Sequence, residues 1–195
     1  DSYWALKQMN FKALMTIMMC EISKKPHWKN IDKILSINSR YDIRSTFFWL
    51  VNYGDGKDGV ENADYKINEV EPLLDAVTKQ NGFNGLHKSS SDMELDQEFQ
   101  KGGFNLPICR YHYLKFSCKN DWDSISNSSI TFDSSLGFAE HYGFRNSYGK
   151  SYQPFDIKQN KPYDFIETPL NFMDRTFDKY MKIPVNKIAD IVIKF

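Results

Sequence analysis

No stretch of this chain approaches the ~18 uninterrupted apolar residues that crossing a bilayer requires. The first residues show no basic region followed by an apolar segment and a small-residue cleavage site, so nothing marks the chain for secretion. An excess of one charge is missing too. The 25 basic and 25 acidic side chains cancel, and neither sign forms a long run, which removes the electrostatic case for a nucleic-acid or anionic-membrane partner. A neutral or small ligand fits better. Cysteine is scarce: Cys20, Cys109 and Cys118 are widely spaced and include no C-x-x-C pair. That pattern points to reduced thiols in a cytoplasmic setting and against a structural zinc knot. A G-x-S-x-G elbow, a glycine-rich phosphate loop and an H-E-x-x-H helix are all absent, so serine hydrolases, nucleotide binders and the common zinc proteases gain no support. There is no internal repeat and no low-complexity tract.

What the chain does have is aromatic and apolar material, 15% and 41% of its 195 residues, enough for the core of one domain spanning 1–195. The densest chemistry lies in Ile108-Cys109-Arg110-Tyr111-His112-Tyr113-Leu114-Lys115-Phe116. Read as one strand, it sends Arg110, His112 and Leu114 to one face and Tyr111 and Tyr113 to the other, so a guanidinium and an imidazole share a pocket. A second apolar run ends in His87, and a third ends in Asp133-Ser134-Ser135. Each has a bland alternative: a satisfied strand-end histidine, or an aspartate capping its own strand.

Taken in order, Trp4 to Ile22 reads as a covered helix whose Met9, Met15, Met18 and Met19 belong to the core. A shorter helix carries Ile31, Ile34 and Leu35, and Ile43 to Val51 is a buried β-branched and aromatic strand. Asn52 to Asp64, with three glycines and four acids, is the expected flexible loop; its Asp55, Asp58 and Glu61 miss the calcium-loop spacing and read as a solvated turn. A helix begins near Pro72 and stops at Asn81-Gly82. Another is announced by Ser91 and Glu94 as a capping box and closes at Gly102-Gly103. Ile130 to Asp133, Tyr163 to Ile166 and Leu170 to Met173 are short strands. Gly137 to Pro162 is a long loop folded over something, and Pro184 to Phe195 is an amphipathic helix that needs a sheet to cover. This alternation predicts an α/β fold with a mostly parallel sheet or barrel. Ligands then bind at the C-terminal strand ends, where His87, Asp133, Glu167 and Asp174 fall.

One order of segments carries a resemblance. It runs Thr46-Phe47-Phe48-Trp49-Leu50, Gly85-Leu86-His87, Arg110-Tyr111-His112-Tyr113-Leu114-Lys115-Phe116, Asp133-Ser134-Ser135-Leu136-Gly137-Phe138-Ala139, Gly143-Phe144-Arg145, Pro154-Phe155 and Met173-Asp174. Over roughly Ile43 to Met181 this resembles an uncharacterised bacterial branch of the polysaccharide deacetylases, the NodB-homology domains of carbohydrate esterase family four. The resemblance implies a distorted (β/α) barrel whose first and last motifs fall at or outside the two ends of this chain. It further implies a divalent transition metal, zinc in most of the family, that activates water against an N-acetyl group of a saccharide used in surface-polysaccharide metabolism. Carried over residue by residue, it makes Asp1 and His87 metal ligands, with His112 on the neighbouring strand as a replacement ligand or a substrate contact, Arg110 and Asp133 the catalytic residues, and Tyr113 and Arg145 the substrate contacts. His87 matches the first histidine of the family's His-x-x-x-His motif, but Ser91 stands where the second belongs, with Asp92 the nearest potential ligand. The alternative is a catalytically degenerate module of the same fold that holds a glycan or protein partner, with neither reading calling for nucleic acid or membrane.

Overall fold

The computed structural model of the protein describes residues 9–22 and 30–195. At its centre is a five-stranded sheet in which every pairing is parallel and the strands lie side by side in chain order. The strands are β1 (Thr46–Leu50), β2 (Phe83–Lys88), β3 (Ile108–Tyr111) and β4 (Phe132–Asp133), completed by β7 (Ile166–Glu167) after a small antiparallel hairpin of β5 (Phe155–Asp156) and β6 (Lys161–Pro162). Parallel neighbours need crossovers, and the first three are supplied by α3 (Glu71–Lys79), α4 (Leu95–Gly102) and α5 (Asp121–Ser126). The fold class is therefore α/β with a parallel sheet, and β1 and β7 are its edges. The order shows no reversal of the kind a doubly wound sheet carries.

Register explains the layering. Trp49, Leu86, Cys109, Asp133 and Glu167 form one row straight across the sheet, and all five are buried against the helices. Val77 of α3, Leu95 of α4, Ile125 of α5 and Leu35 of α2 (Ile31–Arg40) complete that core. The alternate row, Phe48, Gly85, Ile108, Phe132 and Ile166, faces the other way, where Phe132 is 38% exposed. Helix ends follow their local chemistry. Pro72 sits in the first turn of α3, where its missing N–H is harmless, and Gly103 closes α4 with φ 60, a left-handed cap that costs glycine nothing.

Several expectations need correction. The strand from Ile108 stops at Tyr111, because Tyr113 and Leu114 both take left-handed φ, 55 and 52. Helix α4 begins at Leu95, with Glu94 rather than Ser91 at its cap and the Glu94 N–H donating to Gln97 Oε1 at 3.3 Å. Leu170 to Met173 is no strand, only a single bridge between Leu170 and Gly137. The last helix, α6 (Val185–Lys194), does not cover the sheet: Val185 and Ala189 are exposed, and Phe195 packs instead on Tyr142, Phe144 and Phe172. The methionine stripe is not core either. In α1 (Phe11–Ile22) only Ile17 is buried among the residues whose burial is described, while Met15, Met18 and Met19 stay exposed, as does Met9 before it. The reading from Trp4 to Gln8 lies outside the described residues. No helix among the described residues is long and apolar enough to cross a membrane.

Candidate functional site

The C-terminal ends of β1, β2 and β3 are held level by the register Leu50 to His87 to Arg110. Direct partners in adjacent strands share a face, so His87 and Arg110 project together on the side away from the helices. His112 lies just past the end of β3, in the turn that Tyr113 and Leu114 bend back with their left-handed backbones. Two consecutive non-glycine residues in that region cost of order 1–3 kcal/mol each, strain of the kind that gathers at functional sites. The turn brings His112 Nδ1 to 3.0 Å from His87 Nε2, with the two rings nearly perpendicular at 78° and their centres 4.9 Å apart.

The protons on this pair follow from its third partner. His112 Nε2 lies 2.9 Å from the Glu61 carbonyl, which can only accept, so His112 carries its proton on Nε2 and receives one from His87 Nε2 through Nδ1. His87 Nδ1 is left as a buried nitrogen with no hydrogen-bond partner among the described residues. Burial, then His112, then Arg110 push the His87 pKa down to about 3, and burial lowers His112 as well. Both rings are therefore neutral near pH 7.

Glu61 belongs to the segment expected to be a flexible loop. It is ordered instead, bridged between Asp55 and Glu61 and between Tyr53 and Ala63, and fastened to the turn after β2 by Lys57 N–H to Ser90 O at 3.0 Å and Ser90 N–H to Asn62 Oδ1 at 2.9 Å. Gly56 makes that contact possible, since a Cβ there would stand 2.6 Å from Ser90 O and 2.7 Å from Val60 O. Gly56→Ala is expected to cost about 1–3 kcal/mol as the loop shifts off Ser90. A fall in melting temperature together with a shift of the His112 ring resonances checks it.

Beneath this loop is a buried ionic network. Glu98 accepts from Lys88 Nζ at 2.8 Å, Ser91 Oγ at 2.6 Å, the Ser89 N–H at 2.9 Å and Asn52 Nδ2 at 3.2 Å. Ser91, which stands where the resemblance calls for a histidine, is thus spent on Glu98, and Asp92 on an ion pair with Lys57.

Arg110 does not reach Asp133. Its Nε donates to Ser134 O at 2.9 Å and an η nitrogen to Ser134 Oγ at 2.7 Å, while the guanidinium stacks 4.4 Å over the Phe48 ring. Asp133 points to the helix side, where Ser135 Oγ donates to it at 2.6 Å and Cys109 Sγ lies at 3.3 Å. Its register partner Glu167 shares that face beside Trp122, and both carboxyls are fully buried. Two buried carboxyls within hydrogen-bond reach cannot both ionise. Burial and Asp133 raise the Glu167 pKa to about 10, and burial raises that of Asp133, so the pair holds one proton at neutral pH.

Two clefts open at this end of the sheet and share His112 as a wall. One of about 330 Å³ includes Lys88, Ser89, Tyr111, Lys115 and Asp121; the other, about 590 Å³, includes Tyr53, Asp55, Glu61, Asp64, Tyr65 and Tyr113. Tyr113 is exposed with its ring 4.3 Å from that of His112. Arg145 is elsewhere, donating to Gly137 O and Phe116 O at 3.4 and 3.3 Å. Of the sequence-derived site residues, His87, Arg110, His112 and Tyr113 come together; Asp133 and Arg145 do not join them, and Asp1 lies outside the described residues. The sequence reading did not single out the Glu61 carbonyl, which has no side-chain signature, or Glu98, whose burial shows only in three dimensions. Glu167 was visible as an acid closing a strand, though its pairing was not. Cys109 and Cys118 are both free thiols. Among the described residues no group of three or more His, Cys, Asp or Glu could hold a metal ion.

In comparisons with known proteins, the chain matches no family model, no curated protein and no solved structure.

Proposed function

We propose that this chain is a barrel-type deacetylase, an amide hydrolase acting on N-acetylated saccharides. The observation that carries the reading is the meeting of His87 Nε2 and His112 Nδ1, 3.0 Å apart at the C-terminal ends of neighbouring parallel strands. Two nitrogens on one tetrahedral zinc, each about 2.0–2.1 Å from it, lie about 3.3 Å apart. The imidazoles therefore stand near the spacing of two ligands, and the lone pair of His112 Nδ1 already points into the gap. The fit is partial. A third donor is missing among the described residues, and Asp1 is the candidate for it.

A bound metal would polarise the amide carbonyl and lower the pKa of a water. The chain's own residues supply positioning. Glu61 and the left-handed turn aim His112, Arg110 fixes the Ser134 backbone at the mouth, and Tyr113 offers a ring against which a sugar face can lie. Asp133 has no part in this chemistry, because it faces the helices.

Metal analysis of the full-length protein tests the reading. About one zinc per chain is expected, lost in His87→Ala, together with release of acetate from N-acetylated oligosaccharides. A protein that binds no transition metal near neutrality would leave the second reading, a glycan-holding module without hydrolysis. That reading is favoured by the way His87, His112 and Glu61 already satisfy three of the four ring nitrogens.

A further inference from the structure

Helix α1 (Phe11–Ile22) takes no part in the site, yet one of its faces is apolar and open. Phe11, Met15, Met18 and Ile22 are 65%, 59%, 51% and 80% exposed. At about 100° per residue these four positions fall within a stripe about 60° wide. Steps of four, three and four residues are the spacing of a coiled-coil seam, whose side chains seat between those of a facing helix. Ile17, which is buried, lies about 130° round the helix from that stripe. The helix is thus held by its other flank and turns the seam outward.

The order of the seam says what covers it. Its four positions are symmetric about the midpoint between Thr16 and Ile17. A second copy of α1 laid antiparallel across a two-fold axis at that midpoint brings Phe11 against Ile22 and Met15 against Met18, each contact made twice. Every other antiparallel register leaves at least one of the four without a seam residue opposite. Charge favours the same arrangement. The helix has one cation, Lys12 at its start, and one acid, Glu21 at its end, with no acid in the first turn and no base in the last. Each stands at the wrong end of its own helix macrodipole, and an antiparallel neighbour brings the end of opposite sign level with it.

We infer that α1 is the contact of an antiparallel, two-fold homodimer whose other half is a second copy of this chain. The four seam residues expose roughly 450 Å² per copy, taking ~150–250 Å² for a large side chain. That is about half of the ~800 Å² per partner of a standard stable interface, so the dimer is a weak one that forms and parts with concentration. The helix is already folded in each copy, which removes the cost of ordering it on contact. The inference goes beyond the deacetylase reading and does not depend on it.

Sedimentation velocity on the full chain tests it. From about 5 to about 300 μM the average mass is expected to rise from 22.9 kDa toward twice that value. Met15→Glu and Met18→Lys should each weaken association at least about tenfold, because the two-fold axis writes one buried charge into the seam twice. Both changes lie on exposed side chains and should leave the melting temperature of the monomer unmoved. The double variant Met15→Glu/Met18→Lys should regain association to within about threefold of the parent, since antiparallel packing then sets each new acid against a new base. A mass that stays at 22.9 kDa across the whole range overturns the inference, and capture of that monomer on phosphatidylglycerol vesicles would assign the face to a lipid surface instead. Association untouched by either single substitution, or not regained in the double, overturns it as well.

Discussion

Raising the pH from about 7 to about 8, below the range where an unfolded cysteine titrates, is expected to weaken the fold by about 1 kcal/mol per pH unit. The source is the carboxyl pair across β4 and β7. In the folded protein Glu167 keeps its proton up to about 10, against 4.5 for an ordinary glutamate, because it is buried against Asp133 and forms no ion pair with a described residue. A group whose folded pKa is raised contributes its full stability below the unfolded pKa and loses it progressively as pH rises toward the folded one. The imidazoles act in the opposite sense. His87 is pushed down to about 3 from 6.5, so below 6.5 the unfolded chain binds a proton that the folded one refuses. Between about 4.5 and 6.5 the two slopes nearly cancel, and stability should be broadly maximal there. From about 7 to about 8 the carboxyl slope remains, and nearer pH 9 it is joined by that of Cys109, whose thiol burial also pushes up.

Glu167→Gln isolates that cause. The amide donates to Asp133 as the protonated acid does, and its oxygen still accepts from the Leu136 N–H at 3.3 Å, but it has no proton to lose. Urea unfolding at a series of pH values should show the slope flattened in Glu167→Gln, with the variant more stable than the parent at pH 9. An unchanged slope would mean that the proton is held elsewhere.

The second large effect is expected at Glu98. Its side chain is fully buried and that of Lys88 is 9% exposed, and the carboxylate gathers donors from β2, the turn after it and the loop from Asn52. Glu98→Ala leaves an ammonium without its counter-charge in the core, and breaking one side of a buried pair costs about 3–5 kcal/mol. Such a loss takes up much of the stability a domain of this size has, so the variant should be largely unfolded at 37 °C. Replacing both partners, as Lys88→Met/Glu98→Gln, should recover a good part of it, since no charge is then stranded. Denaturant midpoints for the two singles and the double give the coupling directly. A coupling below about 0.5 kcal/mol would show that the pair is not held as an ion pair. The consequence reaches the site. Glu98 fixes the Ser89 N–H, the same turn pins the loop through Ser90 and Asn62, and that loop carries the Glu61 carbonyl to His112. The milder Glu98→Gln, which should fold, is expected to move the His112 ring resonances although the two residues do not touch.

Much of the architecture was legible in the amino-acid order. β-branched and aromatic runs at Thr46, Phe83 and Ile108, separated by helices with Pro72 at a start and Gly103 at a stop, specify parallel strands with helical crossovers, and that is the sheet observed. These signals are local. A proline's fixed φ, a glycine cap and a two-residue alternation each act within a few positions of the chain. His87 and Arg110 as strand-end residues at one level followed from the same reading.

What the sequence left open are properties of contacts between distant segments. Whether a strand-end acid faces the site or the helices turns on one residue of register, and Asp133 fell on the helix side with Glu167 opposite it. The methionine-rich helix has a core pattern, yet Met15, Met18 and Met19 stay exposed while Ile17 is buried. The loop of Asn52 to Asp64 is polar enough to be mobile and is ordered by hydrogen bonds to the turn after β2. Composition and local spacing therefore chose the elements and the edge of the sheet where chemistry gathers. Tertiary packing alone decided which charges are buried together, because the cost of desolvating a carboxyl or an imidazole exists only once the neighbours that exclude water are in place.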